Sequence, residues 1–177
     1  GLDTFTYVAK TAYDKCENDI FRDIFKLPDY IQKMINNGWL GQKSKQGFYK
    51  KIDKGIIHSL DFETMEYSAQ SKKRYSGIGL ARENNRVPAK LKALVNSPDI
   101  AGEFTWEVFS QTLLYSAHLL GEIADDIVSI DSALKWGFGW ELGPFEVLDS
   151  IGLEYFVNRL KKEGKKCSVW LSEMLQN

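Results

Sequence analysis

Cysteine, histidine and any excess of one charge are all scarce in this chain, and each scarcity closes a class of function. The 177 residues hold two cysteines, Cys16 and Cys167, near opposite ends. That is too few for a disulfide scaffold or a zinc cluster, and it accords with a reducing, cytoplasmic setting. The two histidines, His58 and His118, lie in no Glu-flanked zinc signature, so no metal site is expected. With 23 basic against 24 acidic residues the net charge is -1, and a basic field of the kind that binds nucleic acid is not expected. No run approaches the roughly 18 apolar residues of a membrane span, and the N-terminus lacks a basic-then-apolar signal pattern. No GxSxG elbow occurs and neither cysteine has a local histidine partner, so no catalytic nucleophile is assigned.

What is present reads as an ordinary soluble globular chain, 44% hydrophobic and 27% charged. A chain of this length makes one domain or two small ones and buries roughly 70% of its unfolded surface. Gly1-Leu2-Asp3-Thr4 runs straight into an amphipathic segment without an initiator methionine, which leads to the expectation of a piece cut from a longer polypeptide.

Leu2, Phe5, Val8, Ala9 and Ala12 recur at helical spacing and predict a helix to about Tyr13. Leu27-Pro28-Asp29 starts a second, with Tyr30, Ile31, Met34 and Ile35, and Asn36-Asn37-Gly38 stops it. A glycine-punctuated loop follows to Tyr49. Ile56, His58 and Leu60 alternate, Asp61 to Thr64 can turn, and Met65, Tyr67 and Ala69 alternate back, which predicts one β-hairpin leaning on helices. Residues 68–85 are polar without a period and read as a connector. Residues 87–95 form a short helix with Pro88 in its first turn. Ser97-Pro98-Asp99 gives an N-cap, an N1 proline and an acidic N2 for a long helix to about Ala124, carrying Phe104, Val108, Leu113, Leu119 and Ile123 as its apolar stripe. Asp125 or Asp126 caps the next helix, a further one starts at Gly152-Leu153-Glu154 and breaks at Glu163-Gly164, and residues 169–175 form the last. Gly1-Leu2-Asp3 echoes Gly152-Leu153-Glu154, and the 31–36 helix echoes 171–177, the pattern of the tail of one helical repeat followed by a second. The expected organisation is residues 1–55 as that tail with its Gly-Phe-Tyr loop, 56–86 as hairpin and linker, and 87–177 as the second repeat.

The most unusual stretch is Ala133-Leu-Lys-Trp-Gly-Phe-Gly-Trp-Glu-Leu-Gly-Pro-Phe-Glu-Val-Leu-Asp149. It reads as a helix ended by Gly137, an apolar turn buried against another helix or a partner surface, and a helix opened by Gly143-Pro144. Gly137-Phe-Gly139-Trp-Glu-Leu-Gly143 has GxGxxxG spacing and follows a helix, whereas a dinucleotide fingerprint follows a strand. Gly77-Ile-Gly79 lacks the third glycine, and no Walker loop is present. His118 reads as a packed or solvent-tipped histidine. Glu122, Asp125 and Asp126 read as a helix cap with an exposed neighbour, ahead of a hard-cation site. Lys43, Lys45, Lys50, Lys51 and Lys54 gather around the Gly-Phe-Tyr loop. Such runs are usually solvated faces, with contact of Lys43 and Lys45 to a phosphate-bearing ligand as the functional alternative.

Gly38-Trp-Leu-Gly-Gln-Lys-Ser-Lys-Gln-Gly-Phe-Tyr49 resembles the Gly-x-x-Gly-x-Lys-Thr/Ser-x-x-Gly-Phe-Tyr signature in the C-terminal domain of L-3-hydroxyacyl-CoA dehydrogenases. The stretches 121–131 and 136–146 resemble the second helical repeat of the large members of that family, which are often fused to an enoyl-CoA hydratase, and the hairpin at 60–67 fits the same group. The resemblance implies a mainly α fold of tandem helical repeats, of the 6-phosphogluconate dehydrogenase C-terminal-domain-like type, with one β-hairpin in the connector. It implies a parent enzyme of fatty-acid β-oxidation that transfers hydride from a 3-hydroxyacyl-CoA to NAD. It also places the NAD site and the catalytic His-Glu pair in an N-terminal Rossmann domain that partners this region, so no catalytic or cofactor-binding residue is expected here and the chain alone is expected to be inactive. Asn158, in Phe156-Val-Asn-Arg-Leu160, resembles the family's functional asparagine motif in letters and stands on the wrong side of its repeat. Leu142, Pro144 and Phe145 are the expected repeat interface or acyl-side lining, with the two halves packing as a pseudo-dimer. The alternative is a free-standing helical module that binds another protein through its apolar turn or lysine loop.

Overall fold

The computed structural model describes residues 1–71 and 73–175, and the protein is mainly helical with a small antiparallel sheet. Its contacts divide it into two compact units, Gly1–Lys72 and Lys73–Asn177.

The first unit holds α1 (Leu2–Lys15), a 3-10 turn (Arg22–Phe25), α2 (Asp29–Asn36), β1 (Tyr49–Asp53), β2 (Ile56–Leu60) and β3 (Tyr67–Ala69). Ile31 and Met34, one turn apart on α2, are buried with Leu2 and Leu60 and packed by Trp39, Phe48 and Tyr67. Gly38 adopts φ 71, and the Gly38 and Trp39 amides donate to Ile35 and Met34 carbonyls at 2.9 and 2.8 Å. These paired bonds close the last turn of α2 and explain why the chain stops there. On α1 the expected apolar face divides, with Leu2 and Ala9 buried but Phe5 and Val8 exposed.

The expected hairpin is one of two. β2 and β3 form it, with Ser59 opposite Ser68, while β1 pairs on the other side of β2, with Lys51 opposite Ile57. The sign missed in the sequence was Asp53-Lys-Gly55 between two short alternating runs; Gly55 takes φ 80 and turns the chain.

The second unit holds α3 (Ser76–Arg82), α4 (Val87–Val95), α5 (Ile100–Leu119), α6 (Ile127–Phe138), α7 (Pro144–Ile151), α8 (Leu153–Lys162) and α9 (Val169–Glu173). Its core joins Val95, Trp106, Leu113, Phe145, Leu148, Phe156, Leu160 and Leu171. Gly1-Leu2-Asp3 and Gly152-Leu153-Glu154 each open a helix, α1 and α8. Of the second echoed pair, Gln176 and Asn177 lie outside the described residues.

Four expectations are corrected in this unit. Part of the connector read at 68–85 is helical: α3 contains two glycines and little intrinsic propensity, and it is fixed by tertiary bonds instead. Asp99 accepts from the Ser76 hydroxyl and the Gly77 amide, both at 2.9 Å. The same Asp99, not Ser97, is the N-cap of α5, accepting from the Gly102 amide, while the Ser97 hydroxyl donates to it. Those donors, the Gly77 amide foremost, hold the Asp99 carboxyl well below the usual range. Finally, α5 ends at Leu119, because Leu120 turns extended and Gly121 takes φ 86. The buried face of α5 is Trp106, Ser110, Leu113 and Ala117, and Phe104, expected in the core, is 69% exposed.

Candidate functional site

The α6–α7 corner is built from its caps. The Ser129 amide and hydroxyl both donate to Asp126 at 2.8 Å, opening α6 and lowering the Asp126 pKa. The helix stops at Gly139, left-handed at φ 68, while Gly137, the expected terminator, lies inside it. Gly143 then caps α7 with Pro144 at its first position, and the Gly143 amide donates to Glu146 at 2.8 Å. Asp131 of α6 accepts from the Phe145 and Glu146 amides at 2.8 and 3.1 Å. Its carboxylate thus sits on the positive end of α7, where an external anion would otherwise bind. A side chain on Gly143 would lie 2.4 Å from Asp131, so that position must be glycine. Burial pushes the Asp131 carboxyl above its ordinary range, although the two amides and nearby Lys135 pull it down. Lys135 pairs with Glu146 at 2.6 Å and locks the outer edge of the corner.

Within the chain the apolar residues around the turn are only partly covered. Trp136 is 84% and Phe138 74% exposed, because the inward face of α6 carries Ile130 and Asp131. Leu142 lines an apolar cavity of about 360 Å³ with Leu91, Val108, Phe109, Trp140 and Val147, and Thr112 and Glu141 are the polar side chains on its wall. Pro144 and Phe145 are buried in the core of the same unit, the Phe145 ring 5.9 Å from that of Trp170.

The lysines of the first unit separate. Lys43 is paired with Asp3, and its hydrogen bond holds the Asp3 carboxyl below the usual value. Lys50 places its ammonium 5.5 Å above the Tyr67 ring. Lys45 closes the 3-10 turn Gln42–Ser44 in the left-handed conformation, φ 59. It lines a cleft of about 540 Å³ with Gln42, Gln46, Tyr49, Lys51, Lys54 and Ile57. His58 is half-buried on β2 and His118 exposed in the last turn of α5; among the described residues no cluster of His, Cys, Asp or Glu could hold a metal ion. No helix among them is long and apolar enough to cross a membrane.

Sequence reasoning missed a polar knot between α4, α5 and α8. Trp106 donates to Glu163 at 2.9 Å, Arg159 donates to the Val95 carbonyl and to Glu163 at 3.0 Å, and the guanidinium lies 4.3 Å over the Trp106 ring. The legible sign was the i, i+4 pair Arg159–Glu163. Asn158 lies on the same helix beside a groove lined also by Tyr155, Arg159 and Lys162.

Gly137 lies inside α6 and Gly139 and Gly143 come after it, whereas the glycines of a dinucleotide fingerprint follow a strand, and Asp131 already holds the N-terminus of the next helix. Residues 104–173 match the 3-hydroxyacyl-CoA dehydrogenase, C-terminal domain family. The chain is 48% identical, over 99% of its length, to a Bacillus subtilis (strain 168) protein whose name makes it a probable 3-hydroxyacyl-CoA dehydrogenase. It is 30% identical over 74% of its length to a Rickettsia felis protein, and 26% over 75% to one from Rickettsia prowazekii. Both names assign these proteins, provisionally, to the fatty acid oxidation complex as trifunctional enzymes. The chain spans 22% of the Bacillus protein and 17% of each Rickettsia protein. No solved structure matches it at a significant level. Residues 104–173 thus carry the C-terminal domain of the 3-hydroxyacyl-CoA dehydrogenase family, and the similarity to the Bacillus protein runs along nearly the whole chain.

Proposed function

We infer from these similarities that the chain serves as the helical, substrate-side part of an NAD-dependent 3-hydroxyacyl-CoA dehydrogenase of fatty-acid oxidation. The observation that carries this reading is the 48% identity along 99% of the chain to a protein bearing that name. NAD and the proton-transferring His-Glu pair belong, in this reading, to a Rossmann part of the enzyme, and an enoyl-CoA hydratase is its fused or associated neighbour. The residues described here would exclude water from an apolar chain and position it; none takes or gives a proton. The cavity beside Leu142 is of the size and character that suits part of an acyl chain, with apolar walls and few polar groups.

The test is acetoacetyl-CoA reduction followed by loss of NADH absorbance, for the full-length protein that carries this chain and for the 177 residues alone. Turnover is expected from the first and none from the second; an inactive full-length protein, or an active isolated chain, overturns the assignment. In the full-length enzyme, Leu142→Trp should lower kcat/KM for long acyl chains more than for acetoacetyl-CoA. The exposed Trp136 and Phe138 favour a second reading, a helical module that docks on another protein. Full activity of a Trp136→Ser, Phe138→Ser full-length enzyme, together with loss of a copurifying partner, would support it.

A further inference from the structure

We propose that the cleft between the 41–46 loop and the β1–β2 face binds a phosphorylated nucleoside, with Lys45, Lys51 and Lys54 meeting phosphate oxygens and Tyr49 meeting the base. This goes beyond the dehydrogenase reading and does not depend on it.

Five lysines crowd this region, and the fold sorts them. Lys43 is neutralised by Asp3 and Lys50 lies over Tyr67. The remaining three come from separate places, one from the loop, one from β1 and one from the β1–β2 turn, yet line one cleft. No carboxylate among the described residues forms an ion pair with any of the three. Asp53 also lines the cleft, but its Oδ1 already accepts the Lys54 amide, and the balance remains positive. Three lysine side chains lining one cleft can offer charge-assisted hydrogen bonds to a phosphate-bearing ligand.

The floor specifies the rest of the ligand. Tyr49 and Lys51 are two residues apart on β1 and so share a face, and Ile57 is the cross-strand neighbour of Lys51. Tyr49 is 62% and Ile57 48% exposed, an aromatic and an aliphatic surface beside the charges. A nucleobase has the flat face that such a floor takes up. Gln42 and Gln46 line the same cleft and bring amide groups able to donate to and accept from a base edge. The loop is held in shape before any ligand arrives. Gly41 and Gln46 exchange backbone hydrogen bonds at 2.8 and 3.2 Å, Ser44 caps Gln46 at 2.9 Å, and a side chain on Gly47 would lie 2.7 Å from Gly41. The volume of about 540 Å³ falls among small-molecule sites.

The experiment is calorimetric titration of the 177-residue chain with adenosine 3′,5′-bisphosphate, CoA, ATP, adenosine and pyrophosphate. Saturable binding is expected for at least one phosphorylated adenosine, with a dissociation constant between about 10 μM and 1 mM, and weaker binding for adenosine or pyrophosphate alone. Preference for CoA and the 3′,5′-bisphosphate assigns the ligand to a CoA-borne tail; preference for ATP assigns it to a free nucleotide. Lys45→Ala and Lys51→Ala, with unchanged circular dichroism, should each weaken binding about tenfold. Tyr49→Ala should weaken the nucleotide and leave pyrophosphate unchanged. Amide NMR shifts in the unsubstituted chain should concentrate between residues 41 and 57, a readout that needs no variant to fold. The proposal is overturned by absence of saturation up to about 5 mM, where even a weak site fills. It is equally overturned by nucleotide and pyrophosphate binding alike, by retention solely of long polyanions such as heparin, by lysine variants that bind as before, or by shifts elsewhere.

Discussion

The two units differ in which polar groups they leave over. In the second, anionic side chains are consumed by the fold: Asp99 ties α3 to α5, Asp131 holds the start of α7, and Glu163 joins Trp106, Arg159 and Lys165. In the first, the hydrogen bonds build a loop and a sheet edge while Lys45, Lys51, Lys54 and Tyr49 stay exposed. The cores differ in the same direction. Among the described residues the smaller unit buries four apolar side chains in its cluster and the larger fourteen. Small domains bury a smaller fraction of their surface and are the more marginal for it. Groups used up internally hold structure; groups left over are the ones available to a ligand.

That contrast breaks most readily in the cores. Phe156→Ala empties a fully buried site beside Trp106 and should destabilise the second unit by about 3–5 kcal/mol. Urea titration followed by residue-resolved NMR should show its resonances lost early while those of the first unit keep their midpoint; a common shift would mean one cooperative body. Met34→Ala removes the most buried side chain of the smaller core, with an expected loss of about 3 kcal/mol. Its smaller reserve should leave the first unit unfolded in buffer, visible as collapse of its amide dispersion.

Asp131 sharpens the comparison through pH. Because its folded pKa is raised by burial, the native state holds this proton more tightly than the unfolded chain does. Its contribution is therefore fully present below the unfolded value, near pH 4, and declines as pH rises through the raised folded value. Asp99 and Glu163, both lowered, act with the opposite sign and lose their contribution on acidification. Asp131→Asn should cost about 1 kcal/mol at neutral pH, since one amide donor at α7 loses its partner, and should remove the alkaline-going decline from the second unit alone. An unchanged difference between variant and parent from pH 4 to 7 would contradict the assignment. Smallest of all, Trp136→Ser should alter stability by no more than about 0.5 kcal/mol, because the ring is exposed; a larger loss in the thermal midpoint would show that it packs.

Much of the helical order was legible, because its signals are local. Pro88, Asp126, Gly143-Pro144 and Gly152 each mark a helix start that the structure keeps. What escaped was decided by partners distant in sequence. α3 has no periodicity of its own and exists because Asp99, 22 residues away, accepts from Gly77. Periodicity found an apolar stripe on α5 but not which face is buried; that face carries the small residues Gly102, Ser110 and Ala117, and at Gly102 the absence of a side chain lets the Leu94 and Ser97 carbonyls approach. At the candidate sites, sequence placed Leu142 and Lys45 among residues of interest. It had no means of separating Lys43 from Lys45, since the difference is an Asp3 forty residues away. The grouping of Tyr49, Lys51 and Ile57 depends on the β1–β2 pairing, of which sequence alternation marks only the β2 side.

Lys45 carries one further consequence, for anyone who would improve this protein. Its backbone stands at φ 59, a conformation in which a Cβ is disfavoured by about 1 kcal/mol and glycine is at ease. Lys45→Gly should therefore raise the melting temperature of the first unit while taking a cation from its cleft. A selection for heat resistance alone would favour that change, and its product would be sturdier and less able to hold an anion.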